Sequence, residues 1–207
     1  MHKNPCFCEE SQLYNQGFKV IAGVDEVGRG TIAGPVLAGI IILPKNTDLP
    51  WINLIKDSKK LSQKKREDIV CNIQQSKIYY ETGISSSKEI DQIGIVEATH
   101  LAIIRALEKC KLKPDFLLLD GGLNPKTNIK KQTIVKGDNS SMSIAAASII
   151  AKVTRDKIME KFDQSIPGYE FAKHKGYLTK LHMQKLKNLG PSEIHRKSFH
   201  PVTEYFK

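Results

Sequence analysis

Two apolar runs rich in β-branched residues, "FKVIAGVD" (18–25) and "GPVLAGIIIL" (34–43), stand on either side of one short glycine-bearing segment. Each has the composition of a strand. The segment between them places two adjacent carboxylates, Asp25 and Glu26, before an arginine held between two glycines, Gly28-Arg29-Gly30. Gly28-x-Gly30-x-x-Ala33 after a strand matches the dinucleotide-binding fingerprint in letters, but that motif needs a helix next. Gly34-Pro35-Val36 and a second strand follow instead, and no G-x-x-x-x-G-K-[ST] loop exists. The segment is therefore a loop joining neighbouring antiparallel strands, its backbone N–H groups exposed by glycine.

Downstream, strands and helices alternate. "LSQKKREDIVCNIQQS" (61–76) reads as a surface helix opened by Ser62, "KIYYETGISS" (77–86) as a strand, and "IGIVEATHLAIIRALEKC" (93–110) as a helix ending in lysines. "PDFLLLDGG" (114–122) and "KQTIVKGD" (131–138) are each predicted as a strand closed by glycine and aspartate. A long helix with small residues on its packing face covers 141–162, and a basic helix covers 178–189 among loops with Pro191 and Pro201. The polar, unpatterned residues 1–17 are expected to form a loosely ordered leader. Residues 18–207 then make one α/β domain whose C-terminal helical extension begins near residue 163.

Three predicted strands thus end in acids: Asp25 with Glu26, Asp120, and Asp138. Strand ends beside glycine turns are where open α/β sheets bind ligands. Any one of these acids alone reads as a solvated turn residue or a cap. Four converging acids repel one another unless cations intervene, and hard divalent ions such as Mg²⁺ or Mn²⁺ fit all-oxygen ligation. Successive side chains on a regular strand point to opposite faces, so Asp25 and Glu26 share a site only if their strand is ending there.

Charge narrows the partner. Lysine and arginine total 32 against 22 acids, a net charge of +10, which favours polyanions such as nucleic acid or an anionic membrane surface. Cys6, Cys8, Cys71 and Cys110 have neither the spacing of a disulfide framework nor that of a zinc site. No apolar run reaches the roughly 18 residues a membrane span requires. The expectation is a soluble, cytoplasmic protein.

Five separated motifs, "GVDEVGRGTIAGPV", "DSKKLS" (57–62), "LLLDGG", "KGDNSSMSIAAASIIAKVTRD" (136–156) and "HKGY" with "GPSEIHRKSFHPV" (174–177 and 190–202), occur in the order of one family. Together they resemble ribonuclease HII, a type 2 ribonuclease H, in register from about residue 18 to 202. The resemblance implies a ribonuclease H-like fold, a central mixed β-sheet flanked by helices, with a C-terminal helical part that helps hold duplex. It implies Asp25, Glu26, Asp120 and Asp138 as catalytic, metal-binding acids of a two-metal Mg²⁺ or Mn²⁺ site. It further implies hydrolysis of the RNA strand of RNA·DNA hybrids and incision 5′ of a lone ribonucleotide in duplex DNA, leaving 3′-hydroxyl and 5′-phosphate ends. Removal of misincorporated ribonucleotides and RNA primers by a monomer would follow.

By the same resemblance Gly28, Arg29 and Gly30 contact the ribose 2′-hydroxyl, Tyr177 packs on the sugar, and Lys59 and Lys152 match basic positions near the substrate. The 2′-hydroxyl is what distinguishes RNA from DNA. His174 and His195 lie in family motifs but read as capping or packing residues, and Asp156 as a cap or ion-pair partner. Thr31, where the family often has proline, and Leu178, where glycine or proline is common, depart from the pattern. The alternatives are a ribonuclease HIII-like hybrid nuclease, which usually carries glutamate as its fourth acid and an extra N-terminal domain, and a nucleic-acid-binding module without chemistry.

Overall fold

Five strands form one mixed sheet in the order β3-β2-β1-β4-β5 in a computed structural model that describes residues 4–45, 49–56 and 58–207. They are β1 (Ile21–Val27), β2 (Val36–Ile42), β3 (Tyr79–Ser85), β4 (Phe116–Asp120) and β5 (Lys130–Ile134). β1 pairs antiparallel with β2, with Asp25 opposite Gly39 and Glu26 opposite Ala38, and parallel with β4, with Val24 opposite Leu119. The loop after β1 therefore joins antiparallel neighbours, as its sequence requires. Asp57, which opens "DSKKLS", lies outside the described residues.

Alternation along the strands divides the core in two. Val24, Ala38, Ile40, Leu117 and Leu119 pack against α3 (Ser87–Lys109), while Ile41 packs with residues of α2 (Gln63–Gln75) and α4 (Met142–Ser165). Ile40 and Ile41 are fully buried on opposite faces, each contributing roughly 1.5–3 kcal/mol. α4 lies so close to β1 that a Cβ at Gly23 would sit 2.2 Å from the Ser143 backbone. The small residues of the α4 packing face permit this approach. Ser62 and Ser141 cap α2 and α4 through side-chain acceptance of backbone N–H groups.

Three boundaries differ from expectation. α3 starts at Ser87, not 93, because a capping box between Ser86 and Glu89 nucleates an extra turn before Gly94, whose φ of 79° breaks the periodicity. β5 ends at Ile134, after which Lys136 turns left-handed and residues 137–139 form a 3₁₀ turn, so Asp138 sits past the strand rather than at its end.

The loosely ordered leader is the third correction, since residues 8–15 form α1 (Cys8–Asn15). Leu13 packs with Ile21, Phe116 and Leu118. The Glu10 carboxylate is buried and accepts hydrogen bonds from Ser141 Oγ (2.6 Å), Ser143 N (2.9 Å) and Ser143 Oγ (2.5 Å). An anion there meets the unpaired N–H groups and positive end of α4. That attraction is tertiary and leaves no periodic trace in the first 17 residues. Beyond α4 the chain forms α5 (Phe171–His174) and α6 (Lys180–Leu189).

Candidate active site

Asp25 and Glu26 lie among the last three residues of β1, and Asp120 closes the adjacent β4. One oxygen from each of the three lies within 4.8 Å of the others. Asp25 Oδ1 accepts the Glu26 N–H at 2.7 Å, and Asp120 Oδ1 accepts the Gly137 N–H at 2.7 Å. Burial pushes the Asp25 carboxyl well above the ordinary carboxylate range, and the charges of Glu26 and Asp120 push it further. Asp120 is raised too, first by burial, with Asp138 adding to the effect.

Asp138 lies outside this three-oxygen group. Its Oδ2 is 3.6 Å from Lys59 Nζ and its Oδ1 accepts from Asn139 Nδ2 at 2.8 Å. Glu26 pairs with Arg29 at 3.2 Å through Oε1, while its Oε2 is buried with no hydrogen-bond partner among the described residues. Three mutually repelling carboxylates and one orphaned oxygen form a donor set suited to a hard divalent cation.

The cleft around the acids is lined by Gly28, Arg29, Ser58, Lys59, Arg66, Lys152 and Tyr177. Lys152 Nζ donates to Asp156 Oδ1 at 2.8 Å and lies 5.5 Å from the centroid of the half-exposed Tyr177 ring. Asp156 is thus an ion-pair partner. Lys59 is largely exposed beside Asp138. Thr31 is fully buried: its hydroxyl donates to Gly28 O (3.1 Å) and accepts from Arg155 Nη2 (3.0 Å). Proline there could supply neither bond.

Three residues of this region were assigned no role from the sequence. Arg66, on a helix that looks solvated, donates to Ser58 O and Leu61 O and so holds the turn bearing Lys59. Arg155 and Arg196 are completely buried beneath the Gly28–Gly30 turn. Arg155 falls seven residues after Ser148 and four after Ala151, on the stripe of α4 that packs inward, a spacing visible in the sequence.

His174, His182 and His195 are packed together, with the rings of His174 and His182 stacked at 3.9 Å. Ser192 N–H donates to His195 Nδ1 (2.9 Å), which leaves the His195 proton on Nε2 to donate to His182 Nε2 (3.0 Å). His182 Nδ1–H then donates to the Tyr177 carbonyl (2.9 Å). A proton added to either ring would set N–H against N–H. The packing role expected for His174 and His195 extends to His182.

Burial, reinforced by the neighbouring imidazole of His174, lowers His182 to about 3 and His195 to about 4. The unfolded chain protonates both near 6.5, so stability present above that pH is lost as pH falls toward the folded values. Each ring should cost about 1.4 kcal/mol per pH unit in that window. Urea unfolding of wild type and His182→Asn between pH 6.5 and 4.5 checks this: the variant slope should be shallower by one such increment. Parallel slopes would contradict the neutral chain. Asp25 contributes with opposite sign, equally in both proteins.

A mixed sheet flanked by helices, with carboxylates gathered at adjoining strand ends, defines an enzyme of the ribonuclease H-like class. The family model described as Ribonuclease HII matches residues 22–202. The chain is 48% identical over 196 residues to a ribonuclease HII of Geobacter sulfurreducens, covering 95% of this chain and 89% of that protein. It is 45% identical over 202 residues to a ribonuclease HII of Dehalococcoides mccartyi, covering 98% and 96%. Among solved structures, ribonuclease H2 from Pyrococcus horikoshii superposes with a TM-score of 0.70 at 25% identity, covering 90% of this chain and 96% of that one. The chain belongs to the ribonuclease HII family and is an endoribonuclease. No helix among the described residues is long and apolar enough to cross a membrane.

Proposed function

We propose that this protein hydrolyses the RNA strand of RNA·DNA hybrids and incises duplex DNA on the 5′ side of a single embedded ribonucleotide, leaving 3′-hydroxyl and 5′-phosphate ends. One observation carries the reading: the Asp25–Glu26–Asp120 group, with its orphaned oxygen, shares one cleft with Gly28, Arg29 and Tyr177. A sugar-reading turn beside a cation-binding group sets the scissile phosphate next to the hydroxyl being read.

In this reading Asp25, Glu26 and Asp120 hold Mg²⁺ or Mn²⁺, and Asp138 completes the set from the turn after β5. Divalent cations, when bound, supply Lewis-acid activation of water and charge compensation at the phosphate. Lys59 and Lys152 face the phosphates at the cleft rim, and Tyr177 lays its ring against the ribose. The excess of 32 basic over 22 acidic residues draws duplex in, an attraction that weakens with salt.

Duplex DNA carrying one ribonucleotide, incubated with the protein and Mg²⁺ or Mn²⁺, should yield a single nick on the 5′ side of that residue. The same duplex without ribonucleotide should stay intact. Absence of cleavage with either metal, on this substrate and on an RNA·DNA hybrid, would overturn the proposal.

A further inference from the structure

We infer that Arg196 is a positioning residue for ribose discrimination, because its buried guanidinium orients the two peptides whose N–H groups form the outer surface of the Gly28-Arg29-Gly30 turn. The inference rests on the proposed function and adds to it the group that makes the turn selective.

Arg196 is completely buried, and its hydrogen bonds go to backbone carbonyls alone: Nη2 to Gly28 O (2.6 Å), Nη1 to Arg29 O (3.0 Å), and Nε and Nη2 to Gly34 O (3.1 and 2.9 Å). In a planar trans peptide the C=O and N–H point in opposite directions. Drawing the Gly28 and Arg29 carbonyls inward therefore turns the Arg29 and Gly30 N–H groups outward, to the side on which Gly30 is exposed. Neither N–H donates to any group among the described residues.

The grip is doubled from below. Thr31 Oγ1 donates to the same Gly28 carbonyl and is itself held by Arg155. Ile32 is paired on both sides, its N–H to Gly176 O (3.0 Å) and its carbonyl to the Arg196 N–H (2.9 Å). The turn is thus seated on a rigid bed, with the Arg29 and Gly30 N–H groups left unmatched among the described residues.

A guanidinium suits this task because its donors form a fixed planar fork that reaches several carbonyls at once. An ammonium in the same place keeps the charge but not the fork. Two aimed donors gain partners when a 2′-hydroxyl oxygen arrives and stay unpaired in a closed site when the sugar is deoxyribose. Each unpaired donor is worth roughly a factor of ten in discrimination.

The test compares wild type, Arg196→Lys and Thr31→Val by steady-state cleavage of a duplex with one ribonucleotide in Mn²⁺, with the all-DNA duplex of the same sequence as competitive inhibitor. Manganese binding is followed by calorimetry. For Arg196→Lys the expected result is a fall in kcat of about 100-fold, with the inhibition constant of all-DNA duplex and the Mn²⁺ affinity within about twofold of wild type. Thr31→Val, which removes one hydroxyl from the same bed, should lose about tenfold in kcat with the same two constants unchanged.

Cleavage by Arg196→Lys within about threefold of wild type would overturn the inference, as would an equal loss of all-DNA affinity, which marks a merely structural role. If Arg196→Lys shows no cooperative melt, Thr31→Val decides by the same constants. Failure of the wild type to cut would instead count against the proposed function.

Discussion

Replacing Asp120 by asparagine is expected to abolish cleavage, by roughly 10³-fold or more, equivalent to about 4 kcal/mol of transition-state stabilisation. Duplex affinity should survive. The substitution preserves size and leaves an oxygen able to accept the Gly137 N–H, so the turn carrying Asp138 stays in place. What it removes is one negative charge from a group whose oxygens lie within 4.8 Å of each other. Without cation, that loss relieves repulsion, and the variant should melt no lower than wild type.

With cation the order reverses. Mn²⁺ at about one hundred times its dissociation constant stabilises a binding protein by about 2.7 kcal/mol, or roughly 5–10 °C for a chain of this size. Wild type should show that shift and Asp120→Asn much less. Because the Asp25 and Asp120 carboxyls are raised, the folded state loses stability as pH rises through their folded values. The cation-induced shift should therefore be larger at pH 8 than at pH 5. Equal shifts in both proteins would remove Asp120 from the cation site, and unaltered cleavage would remove it from the chemistry.

Gly30→Ala is expected to separate folding from function. A Cβ at Gly30 meets nothing within 4 Å, and its φ lies outside the left-handed region, so alanine fits without strain. Restricting the unfolded chain should raise stability by about 0.4–1 kcal/mol. The added methyl nevertheless stands on the exposed surface of the turn proposed to meet the sugar, where a displacement of about 1 Å can cost 10²-fold in rate.

Gly28→Ala makes the control. There φ is +93°, and a Cβ would lie 2.3 Å from Arg155 Nε and 2.7 Å from Pro35 O. That variant should lose about 2 kcal/mol or more of stability. Melting curves and cleavage rates of the two variants give a direct contrast. Full activity in Gly30→Ala would show that substrate does not approach the turn.

The first two strands, the rejection of a dinucleotide loop and the cap at Ser62 were legible in the sequence because each depends on local periodicity or on residues a few positions apart. So was the placing of Asp25 and Asp120 at the ends of apolar strands, although that β1 and β4 are neighbours emerged only in the fold. Asp138 was recognised as an acid near the same place, yet its setting in a 3₁₀ turn beside Lys59 follows from a left-handed Lys136 that composition does not announce.

Glu10 was missed because a buried carboxylate at a helix N-terminus more than a hundred residues away leaves no local pattern. Arg155 and Arg196 were passed over for a related reason: arginine is ordinarily read as a surface residue.

By itself, then, the sequence determined the α/β alternation, the placing of Asp25, Glu26 and Asp120 at strand ends and a basic, polyanion-seeking character, since these depend on side-chain periodicity and net charge. Tertiary structure alone decided which three carboxylates share one volume, that a helix from the first 17 residues anchors α4, and that buried arginines hold the Gly28-Arg29-Gly30 turn from beneath. Those outcomes depend on desolvation and on directional hydrogen bonds between distant segments, and neither exists until the chain has folded.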